Sequence, residues 1–434
     1  MARVVVVGGG LGGMAAAARL AKLGHTVTLV ERSARLGGAL GRVERDGFAW
    51  DAGPADTLLP AVLRDLFRKS GRPIERELEL VPLDIARGHR FEDGTVVRVR
   101  GGSRAAQWHD MEQLGMGLGD AWCDHVASYA RTWDLLRRDY LERPFDPDLA
   151  SQEAVRLLRG RESLADRIRM LPDPRLRLVA AHPAVAQGHD PRRVPAWVGM
   201  EAYVEQRFGV WTAPGGLAVL GDALAARLTT RRVEVLTGVE ALDLRLVDGR
   251  AAAVLTSAGE VGADLVVCAV DPRRLPALAR FARRTRPAPL PRITHLGLAP
   301  APDADPGSPP TIVLHGNPLL VVRTDGVPAG RAWTVLARGA ARDPVAVLAS
   351  RGLDLRDRIL TRVDRSPHEL AEAWGGSPYG VLWRGRATTR RRLGPTTPIP
   401  GVYAAGAHAT SGAGLPFVGL SAALVAQAIG PASR

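Results

Sequence analysis

Few side chains in this sequence have the type and spacing of a reactive centre. Cys123 and Cys268 stand far apart with no CxxC partner, so neither a disulfide framework nor a zinc site is indicated. No Ser-His-Asp order, metal-ligand cluster or paired-carboxylate motif runs along the chain. His408, in the glycine-rich loop HATSGAG, is the candidate for proton handling because imidazole titrates near neutrality; His182 and His189 are weaker candidates. What the chain does carry is glycine spaced to cradle phosphate. In VVVVGGGLGG, Gly8, Gly10 and Gly13 form GxGxxG. Gly8 permits the tight turn, Gly10 lets backbone approach a pyrophosphate, and Gly13 lets a helix pack on a strand. Glu31 lies 21 residues beyond Gly10, where an acid accepts hydrogen bonds from a ribose diol. The chemistry these residues point to is the holding of a dinucleotide.

Elements must position them. Residues 3–7 read as a buried parallel strand, 13–23 as a helix whose positive N-terminus faces the phosphates, and 26–30 as a second strand ending at Glu31. Five glycines between a β-branched run and an alanine-rich helix also argue against a secretory leader. Near the other end, in PIPGVYAAGAHATSGAGLPFVGLSAALVA, residues 402–405 read as a short buried strand. Gly406 ends it where backbone can approach a phosphate, and the small loop 408–414 admits a planar ring. Pro416 suits the first turn of a helix reaching about residue 429.

The segment RLGGALGRVERDGFAWDAGPAD, with Gly37-Gly38 and GFxxDxGP after the ribose acid, resembles the FAD-binding opening of the flavin amine oxidase and bacterial phytoene desaturase superfamily. GVWTAPGGLAVLGDALAARL, VEVLTGVEAL, ADLVVCAVDP and the C-terminal stretch are similar to that family's middle and closing regions. The resemblance implies an α/β fold: a Rossmann-type FAD-binding domain with an inserted α+β substrate domain. It assigns residues 1–85, 205–285 and 370–434 to the first and 86–204 and 286–369 to the second. It implies FAD, held by Gly8, Gly10, Leu11, Gly13, Glu31, Arg32, Gly38, Arg42, Gly53, Val239, Gly406, Gly414, Leu415 and Val418, and no metal. One departure stands out: the family's double glycine is usually followed by arginine, whereas here Ala39 follows and Arg42 is left to reach back to the phosphates.

Composition narrows the function. Of 58 basic residues only Lys22 and Lys69 are lysines, and the arginines that give the net charge of +13 are scattered. Without a basic helix, zinc spacing or aromatic RNA-binding signature, nucleic acid is not the expected partner; peripheral contact with an anionic membrane is the more natural use of the charge. The unpaired cysteines point to a reducing, cytoplasmic compartment. Trp122, Val126, Tyr129, Trp133, Leu136 and Tyr140 recur at helical steps as an aromatic stripe, which favours core over substrate wall; Trp374, Tyr379 and Trp383 suit either. Many of the resembling amine oxidases set a lysine against the flavin, and nothing after Lys69 supplies one. The resemblance therefore implies an FAD-dependent oxidoreductase that desaturates a lipophilic, isoprenoid or polyene substrate, with oxygen or a quinone taking the electrons. Redox-neutral chemistry on the same scaffold, amine or small-metabolite oxidation, and flavin or lipid binding without turnover remain as alternatives.

Overall fold

A computed structural model describes residues 1–300 and 309–432. The β-branched run at the N-terminus forms the strand Arg3–Val7, buried from Val4 onward, at the centre of a five-stranded sheet. Thr26–Glu31 and Leu265–Cys268 flank it, Glu234–Thr237 and Val402–Ala404 close the edges, and every pairing is parallel. A parallel sheet buried on both faces needs continuous apolar strands, which VVVV and LVVC supply.

The helix Leu11–Lys22 starts two residues earlier than the spacing predicts, because Gly10, with extended backbone, already serves as its N-cap. It is alanine-rich for a packing reason. Ala15 to Ala18 are fully buried between the sheet and the helices Ala218–Thr230 and Leu415–Ile429, and larger side chains would hold those helices apart. Asp51 of the FAWDAGP stretch fastens another joint: its carboxylate accepts the Leu217 and Ala218 N–H groups at 2.8 and 2.9 Å, at the start of Ala218–Thr230.

A second sheet has seven strands, in the order Ile359–Arg365, Arg292–Leu298, Ala332–Arg338, Leu319–Arg323, Thr311–Leu314, Ile85–Arg90 and Val96–Arg100. Only the pairing of Thr311–Leu314 with Ile85–Arg90 is parallel. The helices between Arg104 and Phe208 pack around one apolar core. The aromatic stripe belongs to that core. Trp122, Tyr129, Trp133 and Tyr140 are at most 6% exposed, although the stripe runs over two helices, Leu118–Ala127 and Ala130–Leu136, and a π-helical turn, Arg137–Leu141, rather than one continuous helix. Residue 205 falls inside the helix Met200–Phe208, so a domain border there would cut an element. Among the described residues no helix is long and apolar enough to cross a membrane.

Candidate active site

One cavity of about 460 Å³ runs from the glycine turn to the second sheet. Gly8, Gly10, Leu11, Glu31, Arg32, Gly38, Gly53, Gly406, His408, Gly414, Leu415 and Val418 all line it. Residues separated by the length of the chain thus meet on one wall. The juncture is close: a Cβ on Gly12 would lie 2.7 Å from the Gly406 Cα, so the N-terminal turn and the C-terminal loop touch backbone to backbone.

Three residues assigned from the sequence lie elsewhere. Gly13 sits behind the turn, where a Cβ would overlap the Gly8 carbonyl oxygen, so its part is to pack helix on strand. Arg42 does not reach back to the cavity; its guanidinium donates to the Gly215 carbonyl at 3.0 Å. Val239 packs into the apolar cluster under the sheet and donates its N–H to the Glu31 carbonyl at 3.0 Å, while Glu240 and Ala241 line the cavity beside it.

These residues fit a dinucleotide. The helix Leu11–Lys22 opens on the cavity with no side-chain cap and no acid in its first turn, so its leading N–H groups and its positive end are free for phosphate. The Gly10 Cβ position has nothing within 4 Å, leaving room for a close approach. Glu31 is held in place by the Gly9 N–H at 2.6 Å and the Ser33 N–H at 2.8 Å, and each carboxylate oxygen keeps a lone pair for a ribose hydroxyl. The helix Leu415–Ile429 likewise presents an uncapped, acid-free N-terminus to the cavity, with Gly414 before it and Pro416 in its first turn. Glu31→Ala is expected to weaken FAD retention about 10-fold or more, since hydrogen bonds to a charged group contribute about 1.5–3 kcal/mol; titrating apoprotein with FAD checks it.

The flavin-containing amine oxidoreductase family model matches residues 11–307. The chain belongs to that family. Carotenoid enzymes are among its relatives: it is 26% identical to 4,4'-diapolycopene oxygenase from a Methylomonas species over 98% of both chains. It is 31% identical to phytoene dehydrogenase of Streptomyces griseus over 72% of this chain and 59% of that one. A structure of putrescine oxidase bound to putrescine superimposes with a TM-score of 0.72 at 16% identity, covering 99% of this chain and 98% of that one, and so shows the same fold. This flavoprotein is an FAD-dependent oxidoreductase with a Rossmann-type FAD domain and a substrate domain.

Its candidate proton handler, His408, is 8% exposed. Arg273 lies 3.5 Å from Nδ1 and Asp271 4.0 Å, and Nε2 faces Gly376. Burial holds the imidazole below its ordinary pKa against the pull of Asp271, so it is neutral at pH 7. Because arginine only donates, the Arg273 contact favours the tautomer with its proton on Nε2.

Beyond the C-terminal loop the cavity opens between the second sheet and the helices Pro174–Ala186 and Met200–Phe208. Leu58, Val210, Val321, Leu336 and Phe417 make it apolar, and Trp374 and Tyr379 line it as well. Trp383 lines a small adjoining chamber instead. The same wall carries charges that motif reading does not reveal. Arg87 on the strand Ile85–Arg90 holds both oxygens of Glu205, at 2.6 and 3.0 Å. Its Nε donates to His89 Nε2 at 3.1 Å, and His89 Nδ1 lies 2.8 Å from His315 Nε2. Since Arg87 can only donate, His89 carries its proton on Nδ1 and passes the hydrogen bond on to His315. Asp56, Glu201, Arg323, Arg338 and His182 complete the wall. Two patterns could have disclosed the pair: Arg87 and His89 alternate on one strand face, and Glu201 and Glu205 are one helical turn apart.

Proposed function

We propose that this enzyme dehydrogenates a lipophilic isoprenoid or polyene, removing hydrogen from adjacent carbons and passing electrons to oxygen or a quinone. The observation that carries the reading is the unbroken cavity, lined by glycine turns and uncapped helix N-termini at one end and largely apolar at the other, with neither lysine of the chain on its wall. FAD, when bound, supplies the hydride acceptor. The glycine turn and the two helix N-termini fix its place, and the apolar walls exclude water and hold a hydrocarbon chain by burial, at about 25 cal/mol per Å². The carotenoid enzymes among the relatives support this substrate class.

Anaerobic mixing of the yellow holoenzyme with phytoene in detergent is expected to bleach the flavin and give a product two hydrogens lighter. Bleaching by putrescine but not by phytoene would refute the reading in favour of amine oxidation, and a product of unchanged mass would move it to isomerisation.

A further inference from the structure

The cavity wall beyond the C-terminal loop is unlike a channel for a pure hydrocarbon. Glu201 lines it from the helix Met200–Phe208, and Asp56 from the segment after the FAWDAGP stretch. Neither carboxyl has a hydrogen bond or ion pair among the described residues. Arg87, on the same wall, is committed to Glu205 and His89. Arg323 donates to the backbone carbonyls of Asp51 and Gly53, and Arg338 donates to those of Ala186 and Pro289. His182, 8% exposed, also lines this space; its Nδ1 and the Arg338 Nη2 are buried without a partner. Glu201 stands at the mouth of the side chamber lined by Trp197, Trp383 and Phe417, because it borders both spaces.

An apolar chain entering this cavity would strip water from these groups and leave them unpaired, at a cost of about 1–3 kcal/mol for each polar group. A ligand that supplies the missing partner avoids that cost. The charge on the wall says which kind of partner. Three arginines, Arg87, Arg323 and Arg338, and three acids, Asp56, Glu201 and Glu205, line it, so its formal charges balance and the wall as a whole selects neither an added carboxylate nor an added ammonium. Burial, reinforced by Glu205, pushes the Glu201 carboxyl up to about 7, and burial pushes Asp56 up to about 6 in spite of Arg87. Groups so poised donate or accept a hydrogen bond with little change of charge.

We propose that Glu201, on the cavity wall that Asp56 and His182 also line, forms a polar subsite that docks a neutral oxygen function, a hydroxyl or carbonyl, on an otherwise apolar isoprenoid. The natural substrate is thus an oxygenated isoprenoid rather than a plain hydrocarbon. This rests on the isoprenoid reading above and makes it narrower. The subsite sets which part of the chain lies beside the flavin end of the cavity, since one polar anchor fixes the register of a ligand that apolar walls alone would let slide.

The test uses the FAD-loaded protein and titrates flavin fluorescence with four probes on one skeleton: geranylgeraniol, geranylgeranylamine, geranylgeranoic acid and the matching hydrocarbon. The alcohol is expected to bind about 10-fold more tightly than the hydrocarbon, and Glu201→Leu to bring that ratio close to one without weakening the hydrocarbon. Glu201→Gln, which keeps a hydrogen-bonding amide, is expected to retain part of the preference and serves if the leucine variant fails to fold. Equal binding of alcohol and hydrocarbon, or a ratio that survives Glu201→Leu, overturns the subsite and leaves the isoprenoid reading standing. Tighter binding of the amine or the acid overturns the choice of a neutral group. Binding of none of the four by FAD-loaded protein overturns both readings.

Discussion

Gly13→Ala is expected to give little soluble, yellow protein. A Cβ at this position would fall on the Gly8 carbonyl oxygen and lie 3.4 Å from the Ala269 Cβ, and neither neighbour can yield. Gly8 is held at φ +103°, where only glycine is at ease, and its N–H donates to the Val30 carbonyl at 2.8 Å. Moving the helix instead would part the Gly12–Gly406 contact that joins the two ends of the site. Overpacking against side chains costs about 1–3 kcal/mol, and against a fixed backbone it costs more, out of a total stability of about 5–15 kcal/mol. Gly10→Ala is the matched control. Gly10 has an extended backbone that any residue adopts, and its Cβ would point into open space. The apoprotein is therefore expected to melt within a degree or two of wild type while losing FAD affinity about 10-fold, because the methyl occupies the approach to the phosphates. Soluble yield, apoprotein Tm and flavin content per chain distinguish the two; a Gly13→Ala protein with wild-type Tm would show that the strand–turn–helix packing is looser than the geometry says.

The contrast between these glycines also explains what could be seen in the sequence. Strand, glycine turn and first helix were legible because local rules act there: a parallel strand needs a β-branched run, and a phosphate turn needs glycine at set intervals. The C-terminal loop was legible for the same reason, and its docking against Gly12 makes one site of two distant signatures. Arg42 misled because spacing alone cannot say which way a long side chain turns; the Gly215 carbonyl lies on its other side. The aromatic stripe was legible as buried, while the breaks that divide it over two helices and a π-helical turn were not. The polar wall was least visible. Asp56, Arg87, Glu201, Glu205, Arg323 and Arg338 come from five separate segments, and their meeting depends on how the second sheet packs on the helices.

That wall makes the strongest demand on stability. Arg87→Met is expected to cost about 3–5 kcal/mol at pH 8, because Glu205, whose side chain is 9% exposed, would be left as a buried carboxylate with no cation. The loss should shrink at pH 5. A buried carboxyl without a cation costs stability only while it is ionised, so the cost of removing Arg87 falls as the medium becomes more acidic. Glu201 already behaves in this way in the wild type. Its pKa is pushed from 4.5 to about 7, so the native protein loses about 2–3 kcal/mol from this group as pH rises through that interval. Glu201→Gln is therefore expected to stabilise the protein at pH 8 and to change little near pH 4.5. Urea unfolding at pH 5 and 8 reads both effects. An equal loss for Arg87→Met at the two pH values would assign it to packing rather than charge. The double variant Arg87→Met/Glu205→Met separates the pair from its parts: if it recovers most of the stability, the ion pair serves less to hold the fold than to keep two charges balanced on the cavity wall.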